Sequence, residues 1–374
     1  MKVIRIVSEL DFGGVEKVLA NSLPALQKQK GLVLKLIVLG QGGKVADELA
    51  AKGISIQIFG FNPRIPNFKL LRKLLSIIKD FEPDVVHSQG GEANFYGIWA
   101  AKLANVSLII GEEIGIPNHH SYWKYIFKWI YRKANLVIAI SEAVKRNIVE
   151  LGEVEADKVS VIYNPINSAG RQIGQLTVDS RPSTKRQYFV FVTTCRLVPI
   201  KNLDRLIQAF GSLIKANTKR DILLIIVGEG PERENLEFRI QNLELGNNVE
   251  LLGFQQDIWP YLFAADAFIL PSLREGSSVS LAEAMTAGLP SVVTKVGGAS
   301  EILGKSQSGI LIDPLSTSEI QNALQSILDL SVDERKEMGL RAKEEAKRFS
   351  AENYINSLMS IYTFSDFRLK PSDF

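Results

Sequence analysis

Cysteine and long apolar segments are scarce in this chain of 374 residues. A single cysteine, Cys195, excludes an internal disulfide bond and fits a reducing compartment. No run approaches the ~18 apolar residues that a membrane-spanning helix needs, so any membrane association is expected to be peripheral. The opening residues, KVIRIV after Met1, lack the apolar core of a signal peptide and predict a strand. These absences favour a cytoplasmic protein, with peripheral contact at the inner face of the cytoplasmic membrane left open.

The excess of charge of one sign is also small, with a formal net charge of +3. That excess is too small to indicate nucleic-acid binding. The charge is uneven, because residues 1–170 carry 21 Lys and Arg against 16 Asp and Glu, whereas residues 171–374 carry 23 against 25. A mildly basic first half suits an anionic surface or ligand, although most such charge is simply solvated.

Short apolar runs alternate with amphipathic segments along most of the chain. This alternation is typical of βα units, which build parallel sheets covered by helices on both faces. Helices are predicted at Glu16–Lys28 and Asn67–Lys79. The predicted strands are Val3–Val7, Leu34–Leu39, Ile54–Phe59, Val85–His87, Leu108–Ile110, Leu136–Ile140, Tyr188–Thr194, Ile222–Val227, Val249–Leu252, Ala267–Leu270, Ser291–Thr294 and Gly309–Ile312.

The alternation is interrupted at residues 167–187, a polar segment with Gly, Ser and Pro that is typical of a linker or an excursion. A chain of 374 residues is also too long for one typical core. We therefore predict an α/β protein with two tandem Rossmann-like domains facing across a cleft, at residues 1–168 and 188–349. Ligands of such sheets bind beyond the carboxyl ends of the strands.

Two cations follow the first predicted strand of the second domain. Arg196 lies just beyond that strand, and Lys201 opens the next helix. A guanidinium fork and an ammonium point charge together suit a diphosphate. An ordinary surface ion pair is the alternative.

A glycine–serine turn joins a later strand of this domain to its helix. The run EGSSVSLAE extends from Glu275 to Glu283, and backbone N–H groups at the helix start form an anion site without side chains. Eight helical positions place the two carboxylates at most roughly 12 Å apart, which suits hydroxyl groups at the two ends of a nucleotide sugar. In the alternative, Glu275 caps the helix and Glu283 faces solvent.

The pair Glu275 and Glu283 resembles the E-x7-E signature of the family-4 retaining glycosyltransferases, which have the GT-B fold. Further motifs of that family occur in family order over nearly all of the second domain. They are Arg196-Leu197…Lys201-Asn202-Leu203, Gly228-Glu229-Gly230-Pro231-Glu232, Leu252-Gly253-Phe254, Leu270-Pro271-Ser272, Glu283-Ala284-Met285, Gly297-Gly298 with Glu301-Ile302, and Gly309…Asp313-Pro314. Cys195 stands where glycine is common in the family, and we interpret it as a packing residue.

The resemblance implies a role for each member of this set. Arg196 and Lys201 would hold the donor diphosphate. Glu275 would contact the transferred sugar as a catalytic residue, and Glu283 would contact the ribose. The remaining donor-binding residues would be Gly276, Ser277 and Ser278, through main-chain N–H groups on phosphate, and Gly253 and Phe254, near the nucleobase. A last helix within residues 350–374 would cross back to the first domain.

In the first domain the resemblance adds three residues. Gly13 and Gly14, in a turn between strand and helix, would approach the donor phosphate and the acceptor. His87 ends the run DVVH and would line the catalytic centre, with a hydrogen-bonded core histidine as the alternative. The family often has a second histidine two positions later, where this chain has Gln89.

Neither a metal ion nor a cofactor is expected. His119 and His120 are adjacent, and no Cys or acidic cluster of ligand spacing surrounds them. The Asp-x-Asp motif of the metal-dependent transferases of the other major fold is absent. The nucleotide-diphosphate sugar would therefore be a donor substrate, and no nucleic-acid partner is expected.

Residues 121–133, SYWKYIFKWIYRK, mix aromatic and basic side chains. On a helix, residues 123, 126, 127 and 130 share an apolar face that the basic residues fringe, as in helices at a membrane interface. An ordinary helix packed on the sheet is the alternative. Contact with an anionic membrane would suit a lipid-linked acceptor.

The sequence thus predicts a retaining glycosyltransferase that moves a sugar from a UDP- or GDP-sugar to a glycan or lipid-linked acceptor, in surface polysaccharide or lipopolysaccharide biosynthesis. A nucleotide-sugar 2-epimerase of the GT-B fold is an alternative, although it should lack the full set of Arg196, Lys201 and E-x7-E. A catalytically silent nucleotide-sugar-binding protein is another, against which those intact residues argue. A dinucleotide-dependent dehydrogenase is disfavoured because its glycine fingerprint is absent.

Overall fold

The computed structural model describes residues 1–11, 14–117, 122–166, 188–216 and 221–363. The chain forms two compact units. The first comprises Met1–Asn167 together with Phe349–Phe374, and the second comprises Ser168–Arg348. The predicted linker at 167–187 lies outside the described residues.

The first unit is built on a sheet of seven parallel strands. These are β1 (Lys2–Val7), β2 (Val33–Val38), β3 (Ser55–Ile58), β4 (Val85–Gln89), β5 (Leu108–Glu113), β6 (Leu136–Ala139) and β7 (Val159–Val161). Their order is β3-β2-β1-β4-β5-β6-β7, so the chain winds one way from β1 to β3 and the other way from β4 onward. Because both faces are covered, every residue of β1 after Lys2 is buried, including Arg5.

Six helices connect these strands. They are α1 (Gly14–Gln27), α2 (Lys44–Ala51), α3 (Phe68–Phe81), α4 (Gly91–Leu103), α5 (Trp123–Tyr131) and α6 (Glu142–Glu150). Local sequence fixes their starts where a polar side chain can accept from the first turn, as Asn67 does from the Leu70 amide and Ser141 from the Val144 amide. The strand at β7, only three residues long, was missed by the sequence prediction because its apolar run is so short.

The second unit repeats the arrangement with six parallel strands. They are β8 (Tyr188–Thr194), β9 (Asp221–Val227), β10 (Val249–Gly253), β11 (Ala267–Leu270), β12 (Ser291–Thr294) and β13 (Gly309–Ile312), in the order β10-β9-β8-β11-β12-β13. The helices are α7 (Leu203–Ala216), α8 (Arg233–Asn242), α9 (Trp259–Ala264), α10 (Val279–Ala287), α11 (Ala299–Leu303), α12 (Thr317–Asp329) and α13 (Val332–Ala346). The predicted fold class, two Rossmann-like α/β domains in tandem, is therefore confirmed.

The chain returns to the first unit through α14 (Ala351–Thr363), which packs against α1. The chain leaves the first unit just after Ile166 and returns to it at Phe349. These two residues are neighbours, because the Ile166 amide donates to the Phe349 carbonyl at 2.7 Å. The hydroxyl of Ser350 then accepts from the Asn353 amide and caps the helix. Leu358, at the centre of α14, is completely buried.

Replacing Leu358 by alanine should destabilise the first unit by about 2–5 kcal/mol, since a fully enclosed leucine leaves a cavity when truncated. Leu103→Ala is a suitable control, because Leu103 lies in the same unit and is 50% exposed. Urea unfolding followed by tryptophan fluorescence measures both. Equal effects of the two substitutions would show that α14 contributes no more to stability than an exposed side chain.

Candidate active site

The two adjacent central strands of the second unit, β8 and β11, define its switch point. The chain winds away from them in opposite directions, so the loops that follow their carboxyl ends border one crevice, where ligands of such sheets bind. The loop after β8 carries Arg196 and ends in a 3-10 turn at Pro199–Lys201. The loop after β11 carries Glu275 and leads into α10.

Lys201 and Glu275 meet across this crevice. The Lys201 Nζ donates to the Glu275 Oε2 at 2.6 Å, and the side chains are 18% and 14% exposed. The hydroxyl of Ser272 donates to the same carboxylate oxygen at 3.1 Å. Thr294, at the end of β12, in turn donates to the Ser272 carbonyl at 2.7 Å. Three neighbouring strands therefore fix the position of one carboxylate.

The backbone around Glu275 is held as closely as its side chain. The Gly298 amide donates to the Glu275 carbonyl at 3.3 Å. A Cβ atom at Gly297 would lie 1.5 Å from that carbonyl oxygen, and Gly297 has a φ of +61°, so only glycine fits there. Asn202 links the loops that follow β8, β11 and β13. Its side-chain amide donates to the Pro271 carbonyl at 3.0 Å and to the Pro314 carbonyl at 2.8 Å.

Arg196 differs from Lys201 in being exposed. Within the described ranges its guanidinium makes no hydrogen bond or ion pair, so its donors are available to a ligand. The loop that carries it is closed by backbone contacts, since Cys195 donates to the Val227 carbonyl and Leu197 to the Glu229 carbonyl. Burial raises the pKa of the Cys195 thiol to about 11, so this residue is a protonated packing group and not a nucleophile.

The N-terminus of α10 points its amides at the same crevice. Ser278 is the N-cap, and its hydroxyl accepts from the Leu281 amide at 3.1 Å. The half-buried Gly276 and Ser277 precede it. Glu283, in the second turn of α10, is only 2% exposed, which excludes the solvent-facing alternative. A helix N-terminus beside two cations favours an anion such as a phosphate group.

Gly253 ends β10, and the loop that follows begins with Phe254. The Gly253 carbonyl accepts from the Gly228 amide at 2.9 Å, so this loop borders the one that follows β9. The Phe254 side chain is 53% exposed at this edge of the second sheet.

In the first unit the structure places His87 differently from the sequence prediction. His87 does not end its strand, because β4 continues through Gln89, and its side chain is completely buried. The expectation of a strand-end histidine was therefore wrong, and the alternative of a hydrogen-bonded, buried histidine describes its surroundings. Gly14 begins α1 and is exposed, whereas Gly13 lies outside the described residues.

His87 belongs to a buried polar network that the sequence prediction did not include. Its Nε2 lies 2.9 Å from the Glu112 Oε2, and its Nδ1 lies 2.7 Å from the hydroxyl of Tyr362 on α14. Arg5 donates to Gln89 at 3.0 Å and to Glu112 at 3.3 Å. Gln89 also donates to the second oxygen of Glu112 at 2.9 Å. The network joins three central strands to the last helix.

Burial and charge set the protonation states in this network. Burial, followed by the positive charge of Arg5, lowers the pKa of His87 to about 4 although Glu112 opposes the shift. Burial opposes ionisation of Glu112, but its contacts with His87, Arg5 and Gln89 outweigh that effect and lower its pKa. His87 is therefore neutral at pH 7. The neutral ring faces the Glu112 carboxylate with Nε2 and the Tyr362 hydroxyl with Nδ1.

Comparison with known proteins identifies both units. Residues 12–169 match the model of Glycosyltransferase Family 4, and residues 177–345 match that of Glycosyl transferases group 1. The chain belongs to the family-4 glycosyltransferases. This membership confirms the predicted family and enzyme class, and it decides among the alternatives in favour of glycosyl transfer.

Individual relatives agree with this assignment. An Escherichia coli UDP-Gal:alpha-D-GlcNAc-diphosphoundecaprenol alpha-1,3-galactosyltransferase is 28% identical over 71% of each chain. A Campylobacter jejuni N-acetylgalactosamine-N,N'-diacetylbacillosaminyl-diphospho-undecaprenol 4-alpha-N-acetylgalactosaminyltransferase is 25% identical over 92% of this chain and 94% of its own. The crystal structure of Anabaena HepE in complex with UDP superimposes with a TM-score of 0.80 at 22% identity, covering 96% and 99% of the two chains. That likeness shows the GT-B fold.

The aromatic helix of the glycosyltransferase, α5, buries part of the apolar face that the sequence predicts. Phe127 and Ile130 are 3% and 0% exposed and belong to the core of the first unit, and Trp123 and Ile126 pack against that core. The alternative of an ordinary packed helix therefore holds for Phe127 and Ile130, whereas Trp123 and Ile126 are partly buried. No helix in the part of the chain that the structure describes is long and apolar enough to span a membrane.

Several residues of this buried network in the glycosyltransferase escaped sequence reasoning. The sequence did contain an indication that Arg5 has buried partners. Arg5 is a lone cation in the apolar strand KVIRIV, and it must find partners when both faces of the sheet are covered. No feature of the sequence indicates the roles of Glu112 and Tyr362, since only folding brings them to His87. Among the described residues no three His, Cys, Asp or Glu side chains cluster as metal ligands, and His119 and His120 lie outside this set.

The lowered pKa of His87 predicts how the stability of the enzyme depends on pH. The unfolded chain binds a proton at His87 near pH 6.5 and the folded chain only near pH 4, so stability should fall as pH drops from about 6.5 towards 4. Urea unfolding of wild type and His87→Gln at pH 7 and pH 5 tests this. The variant should lose less stability than wild type over that interval, and identical losses would contradict the assignment.

Proposed function

We propose that this glycosyltransferase transfers a sugar from a nucleoside-diphosphate sugar, a UDP- or GDP-sugar, with retention of anomeric configuration. The observation that carries the proposal is the Lys201–Glu275 contact of 2.6 Å at the switch point, beside the exposed Arg196 and the start of α10. Cations and helix amides there suit the diphosphate, and the carboxylate suits the hydroxyl groups of the sugar.

Transfer would use the site electrostatically. The bond between the anomeric carbon and the phosphate oxygen breaks, and negative charge develops on the departing diphosphate. Arg196, Lys201 and the amides of Gly276, Ser277 and Ser278 would stabilise that charge without reorganising. The acceptor hydroxyl would attack from the face that the diphosphate leaves, and the departing phosphate oxygen would take its proton. No covalent enzyme nucleophile is required.

The remaining donor contacts follow from the same placement. Glu275, held by Ser272 and Lys201, would bind hydroxyl groups of the transferred sugar at the reacting end of the donor. The buried carboxylate of Glu283 would accept from the ribose hydroxyls, and Phe254 with Gly253 would lie along the base. Binding of the diphosphate would draw Lys201 from its partner towards the phosphate oxygens.

In the first unit we propose that His87 acts as a positioning residue of the catalytic centre. Its neutral ring and Arg5 hold Glu112 and Gln89 at the carboxyl ends of β4 and β5, where a substrate of this unit would bind. Gly13 and Gly14 would let a phosphate or acceptor approach the backbone at the start of α1.

The acceptor is proposed to be a glycan or a lipid-linked glycan, in surface polysaccharide or lipopolysaccharide biosynthesis. Two relatives are named for transfer to undecaprenol-linked acceptors, which supports this class. Such an acceptor would place the enzyme on the inner face of the cytoplasmic membrane.

Arg196→Ala and Lys201→Ala should each weaken donor binding by about 10- to 100-fold, because each loses a charge-assisted contact worth about 1.5–3 kcal/mol. A thermal-shift panel of UDP- and GDP-sugars first identifies the donor, and calorimetry then gives its Kd. Lys336→Ala is the control, since Lys336 is 71% exposed in the same unit. Wild-type affinity in the Arg196→Ala/Lys201→Ala double variant would refute the diphosphate site.

Glu275→Ala should lower turnover at least about 100-fold, since it removes a carboxylate placed at the reacting sugar. Glu344→Ala, at a position 73% exposed, should leave turnover unchanged. NMR of the wild-type product should show the anomeric configuration of the donor. An inverted product, or full activity in Glu275→Ala, would contradict the proposed mechanism.

A further inference from the structure

An apolar groove lies on the first unit, between the start of α3, the middle of α4 and the length of α5. It encloses about 540 Å³, within the range of roughly 300–1,000 Å³ usual for small-molecule sites. The ten described side chains that line it are all aliphatic or aromatic. Its lining carries no charged side chain, and its polar groups are the hydroxyls of Tyr122 and Tyr125 and the indole N–H groups of three tryptophans, so its composition suits a hydrocarbon chain.

Aromatic rings that remain exposed form the walls of this groove. Phe68 on α3 is 62% exposed, and Tyr125 and Trp129 on α5 are 65% and 44% exposed. Trp99 of α4 joins the walls, since its ring meets the Trp129 ring edge to face at 5.3 Å and the Phe95 ring at 5.5 Å. A contiguous exposed aromatic surface of this kind usually marks a binding site.

The groove starts at the edge of the sheet where the site residues lie. Ile65 and Pro66 line it and belong to the loop that leaves the carboxyl end of β3. Helix α5 connects the parallel strands β5 and β6, so it begins at the carboxyl edge and runs back towards the amino edge. Trp129 therefore marks the end of the groove away from the site residues.

The rim of the groove is positively charged. The two segments that supply most of the lining, residues 64–69 and 122–133, contain six Lys and Arg and no Asp or Glu. The Lys124 Nζ lies 5.1 Å from the centre of the Tyr125 ring, and the Lys133 Nζ lies 3.4 Å from that of Trp129. Cations beside an apolar channel complement a lipid that carries phosphate.

We propose that this groove binds the hydrocarbon chain of a lipid-linked acceptor, with the lipid phosphate at its Ile65 end, beside the segments that carry Arg64, Lys69 and Lys124. This inference rests on the proposed function, because it assumes an acceptor with a lipid anchor. A chain lying along α5 from Ile65 to Trp129 would bring its phosphate end to the carboxyl edge of the sheet. The groove is open but concave, with walls on three helices, which fits a single chain better than the flat surface of a bilayer.

Intrinsic fluorescence offers a direct readout, because three of the four tryptophans line the groove. They are Trp99, Trp123 and Trp129, whereas Trp259 is buried in the second unit. Geranylgeranyl diphosphate, kept below its micelle concentration, is the probe. It should change the emission saturably, and inorganic diphosphate alone should not.

Variants test where the chain binds. Phe68→Ser/Tyr125→Ser removes two exposed rings and keeps all tryptophans, so the Kd for geranylgeranyl diphosphate should rise at least about tenfold. Phe238→Ser is the matched control, because Phe238 is 65% exposed on α8 of the second unit. Trp129→Lys supplies an independent variant should the double variant fail to fold, as judged by thermal melting.

Each outcome decides the proposal. Saturable binding that both groove variants weaken and the control does not would support it. No fluorescence response in wild type, or equal affinity in all variants, would overturn it. Binding to anionic phosphatidylglycerol vesicles without response to the monomeric isoprenoid would also overturn it, in favour of a bilayer contact. Donor binding by thermal shift on the same samples reports separately on the proposed function.

Discussion

Within each sheet every strand runs in the same direction, and this constraint decides where chemistry can occur. Parallel strands deliver all of their following loops to one edge. In the second unit that edge gathers Lys201, Glu275 and Ser272 from segments up to 74 positions apart in sequence. Reversal of the winding direction between β8 and β11 leaves room there, because the two loops diverge instead of covering each other.

The two units use charge in opposite ways at equivalent edges. In the first, Arg5, Glu112 and His87 are completely or almost completely buried and satisfy one another. Such a network is costly to break, so it serves to fix backbone positions and the last helix. In the second, Lys201 and Glu275 are partly exposed and Arg196 is exposed. Charges that keep access to water can exchange partners with an arriving anion.

The sequence predicted the second unit better than the first, and for a physical reason. There the site residues lie within short loops that follow strands, so position along the chain nearly determines position in space, as for Arg196 and Glu275. In the first unit His87 sits two residues inside β4, and its partners come from β1, β5 and α14. No local pattern encodes contacts between residues 275 positions apart.

Helix α5 shows that an amphipathic pattern in the sequence also predicts only local structure. Its periodicity predicted an apolar face at 123, 126, 127 and 130 and left open what covers it. In the structure Phe127 and Ile130 of that face are buried in the core of the first unit, where α5 packs against α4, whereas Tyr125 and Trp129 are exposed. A helical pattern specifies which side chains point together, whereas burial depends on which surfaces of the folded chain compete for them.

By itself, then, the sequence determined two parallel α/β units, the loops that carry Arg196, Lys201 and Glu275, and the family, because strand periodicity, glycine turns and motif spacing are local properties. Tertiary structure alone decided the carboxylate that Lys201 contacts, the enclosure of His87, the tie of α14 to the first sheet and the aromatic groove. Each of these depends on distances between segments far apart in the chain, and such distances are set by packing.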